Sequence, residues 1–219
     1  AGTTPTSTQT YIDAGTRLSD YLAPRGRGQR HVHINPDMEG DIIQTITGGV
    51  SSIAPYFNPA GKVSALYNDA DLDGAYSHGL NWHMDQNVYV HTNGARAGTP
   101  LMNGTTADGA TTVVTDGWTG SGAVAEGDIF TIADVYAVNP ITKTRLSFLQ
   151  QFVCTAAGTS ASGALTINVS PTIRSTGQFQ NVDSLPANDA ALTFVGAASL
   201  VSTRGVAWQK DAVALAIVP

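Results

Sequence analysis

Three groups of side chains in this sequence have types and spacings that could do chemistry. Asp69-Ala70-Asp71-Leu72-Asp73-Gly74 repeats the opening of a calcium loop, with carboxylates on alternate residues and a glycine for the bend. Such a loop closes on a bidentate glutamate at its twelfth position, and here that position is Leu80. A solvated acidic loop is therefore the expectation, with a weak cation site as the alternative. His31 and His33 stand at i and i+2, on one face of a strand, where two imidazoles could meet a metal. No third ligand is near in sequence, and His78, His83 and His91 fall in another region, which favours a structural role. Arg25, Arg27 and Arg30 could reach phosphate or carboxylate. Three arginines are few for a nucleic-acid surface, so an ion pair within the chain or across a subunit boundary is expected.

Other catalytic patterns are missing. The chain has no G-x-S-x-G elbow, and Gly158-Thr159-Ser160-Ala161-Ser162-Gly163 reads as a turn between strands. It has no phosphate loop of the G-x-x-x-x-G-K-[ST] kind. The one cysteine, Cys154, excludes an intrachain disulfide; it lies inside an apolar strand and reads as a buried, inert thiol. No catalytic, cofactor-binding or metal-ligating residue is assigned, and no cofactor is expected.

Composition narrows the class further. At 219 residues the chain can bury one large core or two smaller ones. Eleven basic and seventeen acidic residues give a net charge of −6, which argues against a dominant nucleic-acid groove. Only 13% of residues are charged, against a usual quarter, so much of the surface must consist of small polar groups. Such a surface is easily buried against neighbours, because few ions would need desolvation. No apolar run is long enough for a signal peptide or a membrane helix. The sequence lacks a starting Met and stops at Pro219 after an apolar stretch, so it reads as a segment of a longer protein.

The elements follow from periodicity and punctuation. Residues 1–9 form an arm without pattern. Thr10 to Ala23 reads as a helix with Thr10 as N-cap and Tyr11, Ala14, Leu18, Tyr21 and Leu22 at helical spacing, ended by Pro24. His31 to Ile34 is a short strand. Asn35-Pro36-Asp37 opens a second helix with Asn35 as N-cap, and Met38, Ile42, Ile43 and Ile46 form its apolar stripe up to Gly48-Gly49. Lys62 to Tyr67 is a short helical candidate, and Leu80 to His91 holds one or two strands. From Thr111 onward strand candidates recur every ten to fifteen residues: Thr111 to Thr115, Asp128 to Ile132, Leu149 to Thr155, Ala164 to Val169 (stopped by Pro171) and Ala191 to Val195. That spacing suits a small β-barrel or sandwich, inserted into an α/β host that Val206 to Val218 rejoins. Phe130 and Ile132 share one strand face with Asp134, and Leu165, Ile167 and Val169 share another.

Several phrases in this sequence resemble those of one family. Gly127-Asp128, Ala137-Val138-Asn139-Pro140, Thr142-Lys143 and Gln151-Phe152-Val153 are similar to the insertion domain of tailed-phage major capsid proteins, in the subfamily typified by the short-tailed Salmonella phage coat protein. The resemblance continues in order over nearly the whole chain, through Thr3-Thr4-Pro5, Tyr11-Ile12-Asp13-Ala14-Gly15, Ala23-Pro24-Arg25, Ile34-Asn35-Pro36, Phe57-Asn58-Pro59-Ala60, Trp82-His83-Met84-Asp85-Gln86-Asn87-Val88 and Trp208-Gln209-Lys210-Asp211. Two places depart from the family pattern. Asn68 to Gly79 is acidic where the family is basic, and Asp134 stands where the family has glycine.

The resemblance implies an α+β chain with the Hong Kong 97-type capsid fold, covering part of its axial and peripheral domains. Residues 1–92 would be the first part of the host domain, 93–200 an inserted antiparallel β-barrel, and 201–219 the return strand. The implied function is structural, without enzymatic activity: a major capsid protein assembling as hexamers and pentamers into an icosahedral head shell. The implied partners are copies of itself, a scaffolding protein and the portal during assembly, and packaged DNA through non-specific contact only, with no membrane. Such a protein belongs to the virion head and assembles in the host cytoplasm. The alternatives are a virion decoration or receptor-binding β-domain protein and, further off, a hydrolase built on the acidic loop and histidines.

Overall fold

A computed structural model describes residues 9–47 and 76–212. In chain order its elements are α1 (Gln9–Asp20), β1 (Arg30–Ile34), α2 (Pro36–Thr47), β2 (Tyr76–Ser77), β3 (Leu80–Met84), β4 (Val90–Thr92), β5 (Gly98–Met102), β6 (Ala110–Trp118), β7 (Ala123–Val124), β8 (Ile129–Val138), β9 (Arg145–Cys154), β10 (Gly158–Thr159), β11 (Leu165–Ile173), β12 (Leu192–Phe194), β13 (Val201–Thr203) and β14 (Val206–Gln209). The described residues are thus mostly β, with two helices. The chain divides into two compact units, one formed by 91–202 and one by the segments on either side of it.

The 91–202 unit is a six-stranded antiparallel sheet in the order β12-β8-β9-β11-β6-β5 that curls until its two edges nearly meet. The seam is short. Leu101 bridges Ala191, Met102 N–H donates to Ala190 O at 2.9 Å, and Asp189 N–H donates to Met102 O at 2.9 Å. Closure of this kind removes exposed sheet edges. Inside lie Phe130, Ile132, Phe152, Ile167, Ile173 and Trp118, with Phe194 packed against them. The indole N–H of Trp118 donates to Thr115 Oγ1 at 2.8 Å, and that hydroxyl donates to Leu165 O at 2.7 Å, so the buried polar atoms of this corner are paired.

Alternation explains most strands, and bulges explain where it changes phase. Leu165, Ile167 and Val169 all point inward, as their spacing predicts. Phe130 and Ile132 are also buried, but Asp134 is exposed and Val135 takes the next inward place. The register slips between Thr131 and Tyr136, where β8 advances five residues against two on β9, and Asp134 has φ +61° within that irregularity. Aspartate is among the side chains that best tolerate a left-handed backbone. Strand β11 does not stop at Pro171 but runs through it to Ile173, across a register shift between Asn168 and Ile173. A proline is compatible with a sheet at such an irregularity. Strand β9 starts four residues before Leu149, because the polar segment there alternates well enough to pair with β8.

The second unit carries a sheet ordered β14-β1-β3-β2, with β1 and β3 parallel and the other pairs antiparallel. Val32, Ile34, Leu80 and Trp82 bury one face against Tyr11 of α1 and Met38 and Ile42 of α2, with Tyr11 and Trp82 meeting edge to face at 5.1 Å. Asn35 caps α2 as its sequence demands: Met38 N–H donates to Asn35 Oδ1 at 3.0 Å. Helix α1 departs from expectation at both ends. Gln9 and Thr10 already lie inside it, and it stops at Asp20 rather than Ala23. Leu22 has φ +63°, Leu22 N–H bonds Ser19 O and Ala23 N–H bonds Leu18 O, which is a Schellman closure with leucine in the usual glycine place. Tyr21 and Leu22 therefore leave the apolar stripe and are exposed. The side chain of Ile46, the Lys62 to Tyr67 helix and the Asp69 to Asp73 loop lie outside the described residues.

Candidate functional site

Within the 91–202 unit, a group of charged side chains gathers around Asp128. Its carboxylate is fully buried. Asp128 Oδ1 lies 2.9 Å from His91 Nε2, and Oδ2 accepts Gly94 N–H at 3.1 Å and Ala125 N–H at 3.0 Å. Arg96 Nη1 stands 3.3 Å from Oδ2, an ion pair by distance without the alignment of a hydrogen bond. The same guanidinium donates through Nη2 to Gly196 O at 2.6 Å and lies over the ring of Phe194, 4.7 Å from its centroid. One carboxylate thus gathers the outgoing segment 91–96, the turn before β8 and the segment after β12.

Local sequence makes this geometry possible. Gly127 has φ +89°, and a side chain there would press on the His91 ring at 3.2 Å. A Cβ on Gly94 would meet Ala123 O at 2.4 Å, closer than any real contact, so the backbone can approach the carboxylate only as glycine. Asn93 adds a second tie, donating from Nδ2 to Ala197 O at 2.8 Å and Val195 O at 3.3 Å.

A histidine beside a buried aspartate occurs in nucleophilic triads. Here the third member is a guanidinium rather than a hydroxyl or thiol, and both His91 and Asp128 are closed to solvent. Cys154, the nearest candidate nucleophile, is buried in β9. Burial, reinforced by the negative charge of Asp128, pushes its thiol up to about 12, the opposite of activation. The arrangement fixes backbone.

The other residues singled out by sequence sort as follows. His31 and His33 do share a face of β1, and the histidine that joins them comes from β3: His31 Nδ1 lies 2.9 Å from His83 Nε2. The ring centroids are 5.1 Å apart at 19°, so with this nitrogen separation the rings lie edge to edge in nearly one plane. Trp208 of β14 lies alongside His31 at 5.8 Å. The separation of His83 from His31 in sequence is bridged by the parallel β1–β3 pairing, which sequence reasoning missed. Among the described residues, no group of three or more His, Cys, Asp or Glu could hold a metal.

Among the described residues, no carboxylate pairs with Arg30. It is buried and donates to Pro24 O at 3.0 Å, to Gly15 O at 2.9 Å, to Ser19 Oγ at 3.0 Å and to Ala23 O. Three of these are carbonyls in and just beyond α1, where a cation also suits the helix dipole, and the fourth is a hydroxyl of the last turn. Arg25 joins it on Ser19 Oγ, at 2.8 Å from Nη2. The unpaired acceptors of a helix end draw Arg30 there, since a guanidinium satisfies several at a time. His91, Arg96 and Asp128 were not expected as a set. Their one sequence signal is charge placed within an apolar, charge-poor region.

No family model matches the chain, and no curated protein matches it. Among solved structures it is similar to the CUS-3 coat protein I-domain, with 22% identity and a TM-score of 0.34, over 45% of this chain and 95% of that one. No helix among the described residues is long and apolar enough to cross a membrane.

Proposed function

We propose that this chain is a structural subunit of a tailed-phage head shell, a major capsid protein of the Hong Kong 97 type. The observation that carries the reading is the ordered sequence resemblance to the coat-protein family, whose phrases run from Thr3 to Asp211. Several residues in those phrases also fill structural posts in this fold. Asp128 is the buried hub, Phe152 is fully buried in the barrel, Asn35 caps α2 and Trp82 anchors the second unit. Asn139 holds the β8–β9 turn by accepting Ile141 N–H at 2.9 Å and Thr142 N–H at 3.0 Å. A nearly closed β unit placed between β4 and β13 is compatible with an insertion into a capsid domain.

In this reading the protein binds copies of itself as hexamers and pentamers, meets a scaffolding protein and the portal during assembly, and touches DNA without sequence readout. It carries no catalytic site and resides in the virion shell. The test is negative-stain electron microscopy of the protein expressed with and without a scaffolding protein. Uniform closed shells are the expected result. Discrete small particles from the full-length protein under both conditions would overturn the reading and favour a decoration or receptor-binding module.

A further inference from the structure

Two surfaces of the six-stranded unit complement each other yet belong to different parts of it. The first is the tip formed by the β8–β9 turn and the strap at 178–180. Ile141 is 77% exposed and Phe179 is 73% exposed, the two most exposed large apolar side chains among the described residues. They are held at one place because Lys143 Nζ donates to Gln178 O at 2.8 Å and Gln180 O at 3.3 Å, on both sides of Phe179. Neither 139–145 nor 174–181 contains an Asp or Glu, whereas they contain Lys143, Arg145 and Arg174. Asp183, 3.8 Å from Arg145, and Asp108, bonded to Ser175 and Thr176, offset part of that charge from below.

The second surface is a cleft of about 490 Å³ beside the β8 bulge. Ala133, Ala187 and Ala191 contribute small apolar walls, Leu185 adds a larger one, and Asp134 and Asp189 stand exposed on it. No Lys or Arg is among the described residues that line it. The cleft thus joins small apolar walls to an acidic rim, with Ser184 and Asn188 beside the two carboxylates. The tip is apolar, basic and lacks room to bury itself. Asp134 and Ile141 lie seven residues apart along β8 and its turn, and the Lys143 strap fixes the tip. Neither Ile141, Lys143 nor Phe179 lines the cleft of its own molecule.

We infer that the Ile141–Phe179 tip of one copy docks in the Asp134–Asp189 cleft of a second copy, with an apolar side chain between the alanines and Lys143 toward the carboxylates. The contact is heterologous, so it continues from copy to copy rather than closing on itself as a two-fold dimer does. An interface built on two anchors falls well below the roughly 1,600 Å² of a standard one, so it is weak singly and is felt at high protein concentration. It stands apart from the shell reading, since copies could associate this way without forming shells.

Sedimentation velocity on the whole chain tests it. The weight-average mass of the wild type should rise with concentration, and the rise should shrink in high salt as the charge pairing is screened. A tip variant (Ile141→Asp with Phe179→Ser) and a cleft variant (Asp134→Asn with Asp189→Asn) should each lose the rise while melting like the wild type. All four residues are exposed, and asparagine tolerates the positive φ of Asp134 and Asp189, so the fold should accept the changes. A 1:1 mixture of the two should then form dimers and nothing larger, because one good tip meets one good cleft. A wild type that stays monomeric, variants that associate as the wild type does, or a mixture that restores no dimer would each overturn the inference, whether or not shells are seen by microscopy.

Discussion

Asp128 shows how one residue can decide a region. Its buried charge is tolerable because two backbone N–H groups, an imidazole and a guanidinium converge on it. Asp128→Asn should therefore cost about 3–5 kcal/mol, since it leaves the Arg96 charge buried without its counter-ion. Urea unfolding of the variant would show this as a lower midpoint at unchanged slope. Cys154 gives a prediction in pH. Its folded pKa is raised to about 12, while an unfolded thiol titrates near ~8.5. Above that lower value the unfolded state binds fewer protons than the folded one, so this group's contribution to stability falls as pH rises from about 8.5 toward 12. At pH 8 a thiol reagent should react orders of magnitude more slowly with the native chain than in urea, because access needs opening of the barrel. The Cys154 burial was legible because its neighbours alternate in an apolar strand. The Asp128 set was not, since His91 and Arg96 reach it from over thirty residues away and nothing local marks the meeting.

At the scale of elements, sequence pattern told most where backbone chemistry is local. The Asn35-Pro36 cap of α2 and the inward run Leu165, Ile167, Val169 needed no tertiary knowledge. The bulge at Asp134 did, because a strand read by strict alternation puts Asp134 with Phe130 and Ile132 and gives no hint of the slip that returns Val135 to the core. Arg30 marks the same limit. A buried cap on the end of α1 depends on the chain turning back at Gly26 to Gly28, where spacing alone suggested only a basic turn. Strand β9 supplies the prediction at this scale. Phe152 is fully buried and faces Phe130 at 5.9 Å. Phe152→Ala should destabilise the six-stranded unit by ~3–5 kcal/mol, which thermal melting would register as a large drop in its midpoint.

Across the whole molecule, the core residues of the 91–202 unit all come from within it. A chain restricted to these residues should therefore keep a cooperative thermal transition by circular dichroism, and a featureless melt would show that it needs the flanking segments. The segments that lead out and back are paired: Asn93 N–H donates to Leu200 O, Ser199 N–H to Gly94 O and Arg204 N–H to Tyr89 O. That antiparallel ribbon bears on the order in which a ribosome delivers the parts. Strand β1 pairs with β14, so Arg30 must wait for Gln209. At ~5–20 residues per second that wait lasts roughly 10–40 s, during which one edge of β1 has no partner. The intervening unit is complete sooner, and domains of its kind fold in milliseconds to seconds. Once it has folded, its ribbon delivers the returning chain beside the outgoing one just as β14 emerges. An uncovered strand edge is a hazard in a crowded cell. Variants that slow the folding of the 91–202 unit should therefore raise aggregation during synthesis more than they lower the stability of the finished protein.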